Sequence, residues 1–226
     1  MIKSKAWEWE IVKGKVEDYW KKPCIESYYL INRWLSNAKT KFLDLGCGLG
    51  RHSIQFAKAG FNTYALDLSE KSIQFTKDWA KKEKLNIDVK LGDMLKLPYE
   101  DEEMDCILCR NVIYHSDTEG IKKIVDEIYR VLKKDGECYL TLISKERNEF
   151  KKEWPVVDEN TKIKIEDGPE NGVPHFYADL NIIFELFLKF KIIFLEHIEK
   201  DISNNNRNPS NWHYHILIKK ETYNIK

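Results

Sequence analysis

No stretch of this sequence is apolar for long enough to cross a bilayer or to serve as a secretory leader. The first residues, MIKSKAWEWEIVKGK, lack an apolar centre, and the most apolar later segment, Asn181 to Leu195, is interrupted by Glu185, Lys189 and Lys191. A cytoplasmic protein without a membrane partner is expected. Excess charge is also missing: 37 basic side chains meet 37 acidic ones, and no Lys/Arg block is long enough to track phosphates, so nucleic acid is not an expected partner. Cysteine is too sparse for a disulfide framework. The five, Cys24, Cys47, Cys106, Cys109 and Cys138, are odd in number and scattered, which suits a reducing compartment. Internal repeats and long low-complexity tracts are absent too. What remains is 226 residues, 42% hydrophobic and 33% charged, the composition of a folded soluble domain with a real core.

Cys106 and Cys109 form a C-x-x-C. If Met104 to Cys109 is a strand, side chains three apart point to opposite faces, so the two thiols cannot converge on one metal or one disulfide.

From Lys41 onward, short apolar runs alternate with segments of helical period. Lys41 to Leu45, Asn62 to Leu66, Ile87 to Leu91, Met104 to Cys109 and Glu137 to Ile143 read as strands. The helix after the first strand carries Ile54, Phe56 and Ala57 and ends at Gly60; the next starts at Ser69 and runs to about Lys84. The clearest helix has capping-box spacing in Ser116-Asp-Thr-Glu119 and a stripe of Ile121, Ile124, Val125, Ile128, Val131 and Leu132. Lys133 to Gly136 should end it in a turn. A polar region follows to about Pro174, then a helix over Ala178 to Lys189 and strands Lys191 to Ile198 and Trp212 to Lys219, joined by a turn at Ser203 to Asn211. The order predicts an α/β fold: a mostly parallel seven-stranded Rossmann-like sheet, helices on both faces and an antiparallel C-terminal edge. One structural domain is expected, with residues 1–36 as an N-terminal helical cap on a binding domain at 37–226.

Gly46-Cys47-Gly48-Leu49-Gly50 falls at the carboxyl end of the first strand, where open α/β sheets bind ligands. A dinucleotide would want G-x-G-x-x-G and a free helix N-terminus for its pyrophosphate; here the third glycine comes one place early and Arg51 stands where it should be. That disfavours a nicotinamide dehydrogenase. S-adenosylmethionine carries a sulfonium, an ammonium and a ribose diol instead of a phosphate, so its site calls for carboxylates and close backbone approach. Asp44 precedes the turn, and Asp67 closes the second strand, from where a carboxylate can accept both ribose hydroxyl protons.

FLDLGCGLGRHSIQFAKAGF, ALDLSEKSI, LGDMLKLP, and DCILCRNVIYH followed by EIYRVLKKDGECYLT occur in order across Phe42 to Ser144. They resemble the motifs of class I S-adenosylmethionine-dependent methyltransferases, and the chain looks most like the small-molecule branch with its thiopurine and tellurite-resistance types. The resemblance implies a methyltransferase with S-adenosyl-L-methionine as cofactor. It implies Asp44, Gly46, Cys47, Gly48 and Gly50 around the methionine portion, and Asp67 and Leu68 at the ribose. Gly92, Asp93 and Met94 would meet the adenine, and Arg110 and Asn111 the sulfonium side. An N-P-P-Y-type segment is lacking after the fourth strand, where Arg110-Asn111-Val112-Ile113 stands, which argues against the adenine- and glutamine-modifying branches.

Such a cofactor brings its own leaving group, so the protein must align a nucleophile and exclude water. His115 is read as the catalytic base or a substrate contact, or else as a helix-entry residue packed on the cofactor loop. Arg51 and His52 could meet an anionic substrate, or face solvent or a local ion pair. Trp7, Trp9, Tyr19, Trp20, Tyr28 and Tyr29 could be core packing or a lid that shapes the acceptor pocket, joined by Arg33, by His175-Phe176-Tyr177 and by Glu170. Tyr19, Trp20, Arg51, His52, Tyr114 and His175 are the substrate-binding candidates. His213 and His215 share one strand face, Trp212 and Tyr214 the other; a third ligand is not evident nearby, so no metal is expected. The leading expectation is a methyltransferase for a small-molecule acceptor at sulfur, a metalloid, oxygen or nitrogen, acting as a monomer or homodimer. The alternatives are a protein or RNA methyltransferase and a non-catalytic S-adenosylmethionine-binding module.

Overall fold

The computed structural model describes residues 4–9, 12, 15–200 and 211–221. In chain order the helices are α1 (Lys15–Trp20), α2 (Ile25–Ser36), α3 (Arg51–Lys58), α4 (Glu70–Lys82), α5 (Thr118–Val131) and α6 (Leu180–Leu186). The strands are β1 (Lys41–Leu45), β2 (Asn62–Asp67), β3 (Ile87–Leu91), β4 (Met104–Cys109), β5 (Leu132–Ser144), β6 (Val156–Asp158), β7 (Thr161–Ile163), β8 (Pro174–Ala178), β9 (Phe190–Lys200) and β10 (Asn211–Lys220).

β3, β2, β1, β4 and β5 lie side by side and parallel, and β10 closes that row antiparallel to β5, with β9 antiparallel outside it. These are the seven expected strands. Three more join them. The polar region after Ser144, which has little apolar alternation, forms the short β6 and β7 and the fully buried β8, whose Tyr177 and Ala178 pair with Ile143 and Ser144 at the tip of β5. β5 outruns β4 at that end, and its unpaired edge takes a strand that local sequence alone does not announce. Most of the expected turn at Ser203 to Asn211 lies outside the described residues.

Three other expectations shift: the turn expected at Lys133 to Gly136 is instead the start of β5, which follows α5 directly from Leu132. The N-cap of α5 is Asp117, one residue after Ser116, with its carboxylate accepting from Gly120 N at 2.7 Å. α6 covers only Leu180–Leu186, because the chain already turns at Phe187 to start β9. Ser69 caps α4 as its position predicts.

Hydrophobic burial divides across the sheet. One core joins alternate residues of β1, β4 and β5 to the α5 stripe and α6; the other joins Phe42, Cys106, Leu108 and Tyr139 to Leu30 and Trp34 of α2 and Phe56 of α3. Cys109 lies in the first core and Cys106 in the second, the divergence that strand geometry requires. Helix α2 is tied down by charge as well. Glu137 of β5 accepts from Arg33 through both oxygens, at 2.8 and 2.9 Å, and from the Trp34 indole at 2.9 Å. Burial pushes the Glu137 carboxyl up, but these donors outweigh it and hold it below its ordinary value. Arg33 is thereby an anchor of the α2 packing, away from the ligand cleft. Among the described residues no helix is long and apolar enough to cross a membrane.

Candidate functional site

A solvent-open cleft runs across the carboxyl ends of β1, β2 and β4. Its floor is the glycine turn. Gly46 holds φ +72°, and a Cβ there would lie 2.5 Å from a Val112 methyl, so the turn after β1 and the turn after β4 approach in a way that only glycine allows. Asp67, at the end of β2, fixes the turn from the other side: one oxygen accepts from Gly48 N at 2.8 Å, the other from Ser69 N at 2.9 Å. Burial raises its carboxyl above the ordinary value, against the pull of these amides. Each oxygen keeps a further lone pair that a hydroxyl can use.

Gly46, Cys47, Gly48, Asp67, Leu68, Gly92, Asp93, Met94, Arg110 and Asn111 all line this cleft, together with His115, Trp20, Arg51 and His52. Asp44 and Gly50 do not. Asp44 sits beneath the turn, where the Ser53 hydroxyl donates to it at 2.6 Å, and burial pushes its carboxyl up to about 6. Gly50 is the left-handed N-cap of α3, packed on Thr76. Asp93 accepts from Leu95 N at 2.9 Å and so shapes the turn that presents Met94. Asn111, at φ +58°, donates its backbone N–H to the Thr141 hydroxyl at 2.9 Å, and its side chain accepts from Thr141 at 3.1 Å and from Arg110.

The other wall is aromatic. Trp7, Trp9 and Trp20 meet edge to face or tilted at 4.8 to 5.8 Å between centroids. The half-buried Arg51 guanidinium lies 4.9 Å from the Trp20 ring and donates to Lys22 O; among the described residues it has no carboxylate within ion-pair reach. Glu8 N donates to Pro169 O, fastening the N-terminal segment to the loop before β8. His52 is buried, its Nε2 accepting the Cys24 N–H at 3.2 Å. Tyr19, Tyr28 and Tyr29 are more than half exposed and form no part of the wall. His213 and His215 serve packing: His215 Nδ1 lies 2.5 Å from the Tyr139 hydroxyl and 3.3 Å from Glu26, and the His213 ring stands 6.1 Å from that of Tyr114.

His115 bridges to a second, more polar hollow lined by Tyr114, Arg147, Trp154, Lys164, Glu170, His175 and Tyr177. There Tyr114 and His175 are found, behind the main cleft. His115 Nε2 is 3.6 Å from Glu170, and His175 Nε2 is 3.5 Å from the same carboxylate. Burial holds the His115 imidazole below its ordinary value, partly offset by Glu170. The Glu170 carboxyl, which burial alone would raise, is held low by the two imidazoles. The sequence placed Glu170 only loosely with this region, since nothing local says that a loop 55 residues beyond His115 returns to it.

Residues 42–136 match a family described as a methyltransferase domain. A ubiquinone biosynthesis O-methyltransferase of Pelagibacter ubique is 34% identical over 107 residues, 46% of this chain and 42% of that protein. A probable S-adenosyl-L-methionine-dependent methyltransferase, TehB, of Haemophilus influenzae is 28% identical over 150 residues, 58% of this chain and 52% of its own. The chain thus spans about half the length of these curated relatives. A solved methyltransferase of Methanosarcina mazei superposes with a TM-score of 0.71 over 85% of this chain and 97% of its own; at 19% identity that likeness concerns the fold.

Proposed function

From the premise that residues 42–136 are a class I S-adenosylmethionine-dependent methyltransferase domain, we propose that the chain transfers a methyl group to a small-molecule acceptor. The observation that carries this reading is the pairing of Gly48 N with Asp67 at the cleft floor. It presents backbone and a carboxylate, with no phosphate cradle, to whatever binds. The donor set fits S-adenosylmethionine: Asp67 for the ribose diol, Gly92, Asp93 and Met94 for the adenine, the 46–48 backbone for the methionine portion. When bound, that cofactor supplies an activated methyl on a neutral thioether leaving group.

The chain's own residues orient and enclose. The 4–9 segment, closed against the loop before β8, covers the cleft with indoles and leaves room for a small acceptor better than for a polymer chain. His115 stands between the cofactor cleft and the second hollow, and it is the side chain that meets the acceptor's nucleophilic group. One relative is by name a ubiquinone biosynthesis O-methyltransferase, which favours a small acceptor with an oxygen nucleophile.

S-adenosylmethionine with a labelled methyl, incubated with the protein and a size-fractionated cell extract, tests this, with Asp67→Ala as control. Label is expected in the small-molecule fraction. Label confined to protein or RNA refutes the acceptor class, and S-adenosylhomocysteine binding without any label supports a binding role instead.

A further inference from the structure

His115, Glu170 and His175 reach one point from three places: the turn after β4, the loop before β8, and β8 itself. Their ligand atoms all lie within 4.8 Å of one another. The two nitrogen-to-carboxylate gaps, 3.6 and 3.5 Å, are too long for hydrogen bonds. Ligands held at ~2.0–2.1 Å around a tetrahedral cation stand about 3.3–3.4 Å apart. The two gaps, each to a different Glu170 oxygen, are within a few tenths of an ångström of that spacing, and the three ligand atoms all lie within 4.8 Å of one another.

Tautomers sharpen the case. His175 Nδ1 lies 3.0 Å from the Val173 carbonyl, which can only accept, so Nδ1 carries the hydrogen and a neutral ring turns a lone pair toward Glu170. That lone pair and the Glu170 carboxylate beside it are the kind of donor pair that a cation can share. The His115 side chain is 9% exposed and its Nε2 has no hydrogen-bond partner. Lys164, 2.6 Å from one Glu170 oxygen, is a donor and cannot ligate; it orients the carboxylate, as the Val173 carbonyl orients the imidazole.

We propose that His115, Glu170 and His175 form a binding site for a first-row divalent transition cation. Two imidazoles and one carboxylate favour Zn²⁺, Mn²⁺, Co²⁺ or Fe²⁺ over Mg²⁺ and Ca²⁺, which prefer all-oxygen shells. The remaining positions would face the cofactor cleft, which His115 lines, and the second hollow, which Glu170 and His175 line. The cation's use, orienting an oxygen-bearing acceptor, rests on the methyl-transfer reading; the site itself does not.

The whole chain, stripped of metal by chelation, is titrated with Co²⁺ while its visible absorption is followed, and then with Zn²⁺ by calorimetry. S-adenosylhomocysteine binding is measured on the same samples. One Co²⁺ per chain is expected, displaced by Zn²⁺, with affinity lowered at least about tenfold in Glu170→Gln and His175→Ala while S-adenosylhomocysteine still binds. Histidine-ring NMR on the unsubstituted chain gives the answer without relying on variants: Zn²⁺ should shift the His115 and His175 rings and leave His52 in place. No saturable Co²⁺ binding, or Zn²⁺ shifts confined to other histidines, overturns the site. Cation binding without S-adenosylhomocysteine binding leaves the site standing and removes the methyl-transfer reading.

Discussion

At one end of the cleft, Gly46, Gly48, Asp67 and Gly92 come from three strand ends within about fifty residues of chain, and the surface they form is largely backbone. At the other, Trp7, Trp20, His115, Glu170 and His175 converge from segments up to 168 residues apart, and the surface they form is largely side chain. The first end tolerates almost no added atom; the second depends on which side chains happen to face one another. A cofactor of fixed shape suits the first, and an acceptor that differs from relative to relative suits the second.

The sharpest way to break this contrast is Gly46→Ala. A left-handed backbone costs a non-glycine residue about 1–2 kcal/mol, and the new methyl would meet Val112 at 2.5 Å, an overpacking worth about 1–3 kcal/mol more. Urea denaturation should show a loss in that summed range, with S-adenosylhomocysteine affinity falling alongside. A variant as stable as the parent would mean that the turns after β1 and β4 are not held together as described.

Next in size is a pair of carboxylates whose pH dependences run in opposite directions. Asp44, under the cofactor turn, is raised from 3.8 to about 6 by burial. Between those values the folded state keeps a proton that the unfolded chain has released, so stability falls as pH rises through that window. At about 1.4 kcal/mol per pKa unit the fall approaches ~3 kcal/mol. Asp44→Asn should abolish it, seen by comparing denaturation midpoints of variant and parent at pH 4 and 7. Glu137, under α2, is held below 4.5. Its contribution is complete above that value and is lost as pH falls through the folded-state value. Glu137→Gln should therefore be destabilised at pH 7 and approach the parent as the solution is acidified. Parallel curves for the two variants would sink the assignment of opposite environments.

Asp67→Ala probes the cofactor end without touching the core. Loss of a charged hydrogen-bond partner should weaken S-adenosylhomocysteine binding by about 1.5–3 kcal/mol, measurable by calorimetry. Unchanged affinity would remove Asp67 from the ribose contact and leave it only the task of tying Gly48 to Ser69.

How much of this was readable beforehand follows the same division. β1 to β5, the glycine turn and Asp67 are written in local pattern: apolar runs of strand length, a glycine cluster at a strand end, a carboxylate closing the next strand. Where the sheet departs from the reading, β6 to β8, the strands are only three to five residues long, and the row starts from β8, which pairs with the unpaired tip of β5. His115 and His175 each stand out by their sequence neighbourhoods, but no spacing along the chain brings Glu170 between them. Arg51 shows the converse: a charge that its position left to an anionic substrate, to solvent or to a local ion pair lies against Trp20, because the N-terminal segment folds back over α3.

The smallest effect separates two causes that Gly46 combines. Gly60, just past the end of α3, has φ +96°, yet a Cβ built there would meet nothing within 4 Å. Gly60→Ala should thus cost only the backbone penalty of about 1–2 kcal/mol, with S-adenosylhomocysteine affinity unchanged because the residue lies at the far end of α3 from the cleft. If the two alanine variants lose equal stability, the close approach of Val112 to Gly46 contributes nothing and the cofactor floor is set by backbone conformation alone. If Gly46→Ala loses clearly more, the excess measures how tightly the turn after β4 is pressed against the turn after β1. That contact is also what ties His115, three residues beyond Val112, to the cofactor side of the cleft.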